Sequence, residues 1–359
     1  MTLSSLAPPL VRDRDVENPV EVSNALDEAE WNAYVLAHPD GTVDHLWGWR
    51  HVFEDVFHHK SVYLVARRTG AITGVLPLVL FRSRLFGRFA VSLPFLNYGG
   101  VLASDSETTR ALIERAREVA HTFSASHLEL RHIGRQLTTL PFRQHKLALT
   151  RTLPATSADL WAKVDRKVRN QVRKAQKDGL IGAIGGEELV DEFYAVFARN
   201  MRDLGTPVYP KQLFAETLRR FPGAVRVYTV RSGTTTVAGA MAIRYRDTVL
   251  VPWASSLREY RHQCPNMLLY WTMLDDAVVS GARVFDFGRS SPGSGTHHFK
   301  TQWGATEIPL HWEYVLLTRK TAPDQGPHNP KFAAAIAAWQ RLPLWLTKAI
   351  GPMLVRHIP

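Results

Sequence analysis

Residues 225–256, VRVYTVRSGTTTVAGAMAIRYRDTVLVPWASS, decide the fold class. They read as three strands in succession, VRVYTVRS, TVAGAMAIRYRD and TVLVPWAS, rich in the β-branched and aromatic residues that suit a pleated, half-buried surface. Strands this close in sequence pair antiparallel. The helices EELVDEFYAVFARNMRDLG and KQLFAETLRRF precede them. The helix NMLLYWTMLDDAVVSG, the strand RVFDFG and a last strand, PLHWEYVLL, follow.

Helices, antiparallel strands, a helix and a further strand are the order that an N-acetyltransferase-like (GNAT-like) fold requires. The first half repeats the theme. Residues 28–58 read as two short helices broken at Pro39-Asp40-Gly41, and SVYLVARR and AITGVLPLVLFR flank the hairpin signal Thr69-Gly70. FAVSLPFLNYGGVLA reads as extended, TTRALIERAREVAHTF as an amphipathic helix and HLELRHI as an alternating strand. Strands outnumber simple βαβ crossovers, which argues against a doubly wound parallel sheet. The expected class is α+β, with tandem GNAT-like domains on mixed, largely antiparallel sheets. The expected organisation is an N-terminal tail (1–19), a first domain (20–150), a second domain (151–320), and a linker with an amphipathic C-terminal helix (321–359).

A chain of 359 residues is long enough for two domains. Lys and Arg outnumber Asp and Glu by 44 to 33, a surplus of 11 that should attract nucleotides, RNA or acidic lipid. The single cysteine, Cys264, excludes an intramolecular disulfide and an all-cysteine zinc site and fits a reducing compartment. The N-terminus lacks the basic and apolar regions of a secretory signal, and no window offers the roughly 18 apolar residues of a spanning helix. A cytoplasmic protein is expected, at most peripheral at the inner membrane. The tail FAAAIAAWQRLPLWLTKAIGPMLVRHIP reads either as a helix packed on the second domain or as a contact with an anionic bilayer.

Four segments invite chemistry. LWAKVDRKVRNQVRKAQKDGL places Val164, Val168, Val172 and Ala175 on one arc, with Arg166, Arg169, Arg173 and Lys177 opposite. Its bland reading is a solvated face; its other reading is a partner with phosphates, since charges of one sign at helical spacing repel. Tyr209 in the stiff loop TPVYP is either a core plug or a substrate contact. Trp253 stands before Ser255 and Ser256, for which no local base is in view, and Asn266 reads as the N-cap of the next helix. In a GNAT enzyme that junction carries a glycine-bearing loop whose amides hold the pyrophosphate of acetyl-CoA. Here it reads Arg261-His262-Gln263-Cys264-Pro265-Asn266, without either glycine and with one amide removed by proline.

The fourth segment is DFGRSSPGSGTHHFKTQWG, residues 286–304. Asp286 falls near a strand end, and Gly288, Gly293 and Gly295 permit tight turns or close approach to a ligand. A Walker loop is excluded because Phe299, not glycine, precedes Lys300. Adjacent His297 and His298 lack a third ligand, so no metal is expected. Lys300 is the candidate for stabilising an oxyanion or gripping a phosphate, and Asp286 for orienting the nucleophile. His297 is the candidate proton acceptor, since an imidazole exchanges protons near neutrality. Arg289, Ser290, Gly293 and Ser294 complete the expected substrate-binding loop.

The segments SLPFLNYGGVLA, KVRNQVRKAQKDGL, FYAVFARNMRDLGTPVYP, VPWASSLREYRHQCPNMLLYW and FDFGRSSPGSGTHHFKTQWGA together resemble the FemAB-related proteins of the exosortase/PEP-CTERM-associated branch. The resemblance implies an acyltransferase with tandem GNAT-like domains. Cell-wall members of the family move an aminoacyl group from aminoacyl-tRNA to a peptidoglycan precursor. By the same resemblance, Lys300 matches a Phe-Lys position near the reaction centre, and the basic helix matches the segment that opens the second domain. No cofactor is implied beyond the donor, aminoacyl-tRNA or acyl-CoA. The partners implied are a glycan or lipid-linked glycan precursor, with no role for DNA. Two other functions stay open: an acetyl-CoA-dependent polysaccharide N- or O-acetyltransferase, and a non-catalytic module that binds glycan or RNA.

Overall fold

The computed structural model describes residues 20–25, 27–84, 86–134, 136–137, 139–323 and 333–358. The expected tail at 1–19 and most of the expected linker lie outside them. The first half holds β1 (Glu21–Ser23), α1 (Glu28–Ala37), α2 (Gly48–Phe57), β2 (Lys60–Arg68), β3 (Ala71–Ser83), β4 (Gly87–Val91), β5 (Leu102–Ala103), α3 (Ser106–Thr122), β6 (His127–His132), β7 (Phe142–Arg143) and β8 (Leu147–Thr152). After it come α4 (Ser157–Lys163), α5 (Arg166–Lys177), β9 (Leu180–Gly185), α6 (Val190–Asp203), α7 (Lys211–Arg220), β10 (Val225–Ser232), β11 (Thr235–Tyr245) and β12 (Thr248–Ser256). The chain ends with α8 (Pro265–Val279), β13 (Val284–Ser290), α9 (Gly295–Thr301), β14 (Thr306–Pro309), β15 (His311–Leu316), α10 (Ala333–Gln340) and α11 (Leu344–Val355).

The strands form two mixed sheets. One runs β1-β2-β3-β4-β6-β15-β7 with β5 on β3, and the other runs β14-β8-β13-β12-β11-β10-β9. Most pairs are antiparallel; β4 with β6 and β12 with β13 are parallel. The hairpin at Thr69-Gly70 turns through two left-handed residues, φ 51° and 83°, which matches the twist of its strands. Helix α3 covers one face of the first sheet with Leu112 and Ala116, while α5 and α8 cover one face of the second. An aromatic core between the sheets includes Trp49, Phe57, Phe95, Phe197, Phe214 and Trp253.

The two sheets exchange strands. β8 pairs with β13 and β14 in the second sheet, whereas β15 pairs with β6 and β7 in the first. The expected boundary at 150/151 therefore falls inside β8, and PLHWEYVLL, expected in the second unit, completes the first sheet. β7-β8 and β14-β15 run side by side as one ribbon through both sheets, joined at the crossing by Leu310 N–H donating to the Lys146 carbonyl at 3.0 Å.

Local departures from the sequence reading have identifiable causes. The basic helix is two helices, because Val164 is extended and the Asp165 carboxylate caps α5 by accepting from Lys167 N–H at 2.7 Å. Residues 92–101 form a folded, buried loop and not a continuous extended run. There Leu93 and Phe95 are left-handed, and Asp44 accepts from the amides of Asn97 and Tyr98 at 2.9 and 2.8 Å. The single C-terminal helix expected from the tail is two, since Pro343 cannot continue α10 and instead starts α11. They dock on α6, with Trp339 buried and Gly351 against Val208.

Candidate active site

Asp286 sits at a fork. β12 and β13 are paired only from Thr248↔Val284 to Leu250↔Asp286, although β12 continues to Ser256 and β13 to Ser290. On its other side, β13 pairs with β8 at Asp286↔Thr150 and again at Arg289↔Ala148, so two residues oppose one. This is a β-bulge, and Gly288 makes it with φ 72°. Strict alternation would turn Asp286 and Arg289 to opposite faces; the extra residue brings them to the same one. The glycine is also required by space, since a Cβ at 288 would lie 2.9 Å from the Val251 carbonyl oxygen.

Gly288 links the two charges. Its N–H donates to Asp286 Oδ1 at 2.7 Å, and its carbonyl accepts from Lys300 Nζ at 3.2 Å. Lys300 also donates to the Arg289 carbonyl at 2.9 Å. It comes from α9, a short helix where the sequence reading expected a loop, capped by Ser294 Oγ accepting from His297 N–H. Phe299, beside it, meets the Tyr270 ring edge-on at 4.8 Å. The buried loop between β4 and β5 supplies the other contact: Tyr98 Oη donates to Asp286 Oδ2 at 2.8 Å.

Burial dominates the electrostatics. It pushes the Asp286 carboxyl up to about 6 against the Gly288 amide, the Tyr98 hydroxyl and the Lys300 charge. It pulls the Lys300 ammonium down to about 8, with Asp286 opposing and Arg289 adding to the fall. An ionised Asp286 and a charged Lys300 therefore coexist around neutral pH, poised to accept a proton and to face negative charge.

A second group of cations adjoins the first. Arg289 donates to the Leu96 carbonyl at 2.9 Å and lies 5.4 Å from the centre of the Trp312 ring, while Arg131 lies 4.3 Å from it. Arg131 is paired with Glu129 at 2.8 Å. Lys146 Nζ donates to Ser291 Oγ at 2.7 Å. Tyr209 is close enough for the Arg289 and Arg131 charges to act on its hydroxyl, whose pKa burial raises.

The remaining expected residues are dispersed. His297 Nδ1 accepts from Gly293 N–H at 3.1 Å and Nε2 meets Glu307 at 2.8 Å, so both ring nitrogens are engaged within the loop. Ser290 Oγ is buried without a partner among the described residues. Trp253 belongs to the aromatic core, edge-on to Phe214 at 5.2 Å. On α5, Arg166 is exposed, Arg169 donates to the Trp161 carbonyl, and Arg173 stacks over the Trp161 ring at 5.4 Å. An open depression along this helix is lined by Asp165, Arg166, Lys167, Asn170, Gln171 and Lys174. Asn266 is not the N-cap of α8; left-handed Cys264 is, without a side-chain cap, and Pro265 opens the helix. Cys264 N–H is already bonded to the Arg261 carbonyl, so the first two positions of this junction offer no free amide. Sequence reasoning missed Tyr98, Asp44, Arg131, Lys146 and Trp312. Only Tyr98 carried a signal, lying in the glycine-ended stretch NYGG.

Residues 162–301 match the acetyltransferase (GNAT) domain family. They form a GNAT acyltransferase domain. Asp286, Gly288, Arg289 and Lys300 all fall within it. In three dimensions the chain is similar to FemX, with 16% identity, a TM-score of 0.64 and coverage of 83% of this chain and 98% of that one. The C-terminal domain (DUF2156) of a putative lysylphosphatidylglycerol synthetase from Agrobacterium fabrum aligns with a TM-score of 0.56 at 12% identity, over 91% and 97% of the two chains. A tandem GNAT protein from the clavulanic acid biosynthesis pathway aligns with a TM-score of 0.53 at 14% identity, over 82% and 97%. No curated protein matches the sequence. The fold is tandem GNAT-like, as the strand order implied.

Proposed function

We propose that this protein transfers an aminoacyl or acyl group to an amine or hydroxyl of a cell-envelope glycan or its precursor. One observation carries the reading: a buried carboxyl and a buried ammonium, bridged by Gly288, at the fork of two parallel strands in a GNAT domain. The acceptor atom attacks the ester carbonyl of the donor, and its proton passes to Asp286. The developing oxyanion is stabilised by Lys300, then collapses to expel the donor oxygen, which takes the proton from Asp286, so one C–N or C–O bond forms as one C–O bond breaks. His297 is less suited to take the proton, because Gly293 and Glu307 hold both ring nitrogens.

Aminoacyl-tRNA is the donor this reading favours. The start of α8 offers a pyrophosphate neither glycines nor free amides at Cys264 and Pro265. The adjoining basic α5 supplies phosphate contacts instead. The likeness to FemX and to a lysylphosphatidylglycerol synthetase domain supports an aminoacyl donor and an envelope acceptor, and the sequence resemblance to FemAB-related proteins favours an acceptor among exopolysaccharide or peptidoglycan intermediates. No helix among the described residues is long and apolar enough to cross a membrane. Trp345 and Met353 of α11, 70% and 66% exposed, suit a peripheral contact with the inner membrane.

Mass spectrometry of exopolysaccharide and peptidoglycan from strains with and without the gene tests this directly. An acyl or aminoacyl mass missing from the deletion strain is expected; identical spectra, with no transfer by purified protein to envelope precursors, refute it. Acetyl-CoA that protects the protein from thermal unfolding would redirect the reading to an acetyl-CoA-dependent acetyltransferase.

A further inference from the structure

We propose that Arg289 and Arg131, both over the Trp312 indole, and Lys146, near the two arginines, form a subsite for an oxyanion carried by the acceptor, a phosphate or a carboxylate. The inference rests on the transferase reading for the identity of its ligand but on its own observations for its existence. Neither Arg289 nor Lys146 has a carboxylate within ion-pair distance among the described residues, and the nearby carboxylates, Glu129 paired with Arg131 and buried Asp44 acting on both arginines, leave the three cations net positive. Like charges held together away from water are costly unless a counter-charge joins them. The cations act on one another: burial and Arg131 pull Arg289 down to about 10, and burial with Arg289 and Arg131 pulls Lys146 down to about 8.

Two polar atoms in the same cluster lack partners among the described residues. Trp312 Nε1 and His145 Nδ1 are buried without a hydrogen bond to any of them, and the His145 ring stands edge-on to Trp312 at 4.8 Å. Burial and the neighbouring Lys146 charge hold His145 down to about 4, leaving a neutral ring able to donate one hydrogen bond. Arg289, Lys146, His145 and Ser291 are each partly exposed, so a ligand reaches the group from solvent. Guanidinium planes suit bidentate capture of phosphate or carboxylate, and a mobile ammonium completes the grip.

The strand exchange explains the position. Lys146 precedes β8 and Trp312 lies on β15, the two strands that cross between the sheets, while Arg131 comes from β6 and Arg289 from β13. The Arg289 carbonyl accepts from Lys300 Nζ, so an anion held here sets the acceptor beside the proposed reaction centre.

Isothermal titration of the full-length protein at fixed ionic strength, with inorganic pyrophosphate, UDP-N-acetylglucosamine and glucuronate as probes, tests the subsite. At least one probe binds the wild type, and its affinity falls tenfold or more in Lys146→Met and in Arg289→Gln. It is unchanged in Arg115→Gln, an exposed residue of α3. Binding of the two diphosphates alone identifies a nucleotide- or lipid-linked acceptor, and binding of glucuronate alone a uronic acid. Should Arg289→Gln fail to fold by thermal melting, Lys146→Met at its partly exposed position carries the test. The proposal is overturned if no probe binds at millimolar concentration, or if binding survives in Lys146→Met. A protein that binds the probes yet transfers no acyl group refutes the transferase reading alone; a working transferase whose probe binding ignores these substitutions refutes the subsite alone.

Discussion

Helix α5 and the fork at Asp286 both concentrate positive charge, and they hold it under opposite conditions. On α5 the basic side chains are mostly exposed, and Lys174 is paired with Asp178 at the surface. At the fork, Lys300 is 8% exposed and Arg131 1%, and hydrogen bonds to carbonyls stand in for ion pairs, two at Lys300 and one at Arg289. Charge in water is screened and replaceable; charge out of water is strongly felt and specific. A surface helix can therefore attract a polyanion by the sum of its charges, whereas each group at the fork has its own task.

Substitutions can break that contrast. Lys300→Ala should lower kcat by about 10²–10³-fold, the cost of removing one oxyanion-stabilising group, with unchanged thermal unfolding checked alongside transfer rates. A loss of only twofold would place Lys300 with the replaceable charges of α5. Gly288→Ala should destabilise the protein by about 2 kcal/mol, because alanine disfavours φ 72° and meets the Val251 carbonyl; thermal melting measures it. Gly293→Ala, at φ 70° with open space around it, should cost about 1 kcal/mol.

The pH profile sharpens the same contrast. Transfer should rise as Asp286 ionises near pH 6 and fall as Lys300 loses its proton near pH 8. Tyr98→Phe should move the acid limb upward, because the Tyr98 hydroxyl favours the ionised carboxylate. Stability carries a matching signature. The Asp286 pKa is raised on folding, so its contribution is full below about pH 4 and is lost as the pH rises through about 6; Asp286→Asn should not show that loss. The smallest effects belong to α5. Arg166→Gln should change donor KM less than about threefold, while neutralising several positions together should lower the salt slope of tRNA binding by roughly 0.7 per contact removed.

Much of the architecture was legible because it is local. Thr69-Gly70 announces its hairpin, the 225–256 strands announce antiparallel order, and Val168, Val172 and Ala175 announce the buried side of α5. Less of the site was legible. Asp286, Arg289 and Lys300 stand out within one glycine-rich stretch, but the sequence favours His297 as proton acceptor on the ordinary chemistry of an imidazole and leaves Asp286 to orient the nucleophile. His297 is occupied by Gly293, four residues away, and by Glu307, a strand away, and neither pairing follows from periodicity.

Composition, periodicity and punctuation were enough to establish an α+β chain of two related halves with a basic helix and a glycine-shaped loop, since hydrophobic pattern and turn chemistry act over a few residues. The meeting of Tyr98 with Asp286, 188 residues apart, required folding. So did the exchange of β8 and β15 and the gathering of Lys146, Arg131 and Trp312 around Arg289. Strand partners are chosen by packing across the whole molecule, and a one-residue bulge at Gly288 decides which side chains share a face, a choice that no local preference of the flanking residues encodes.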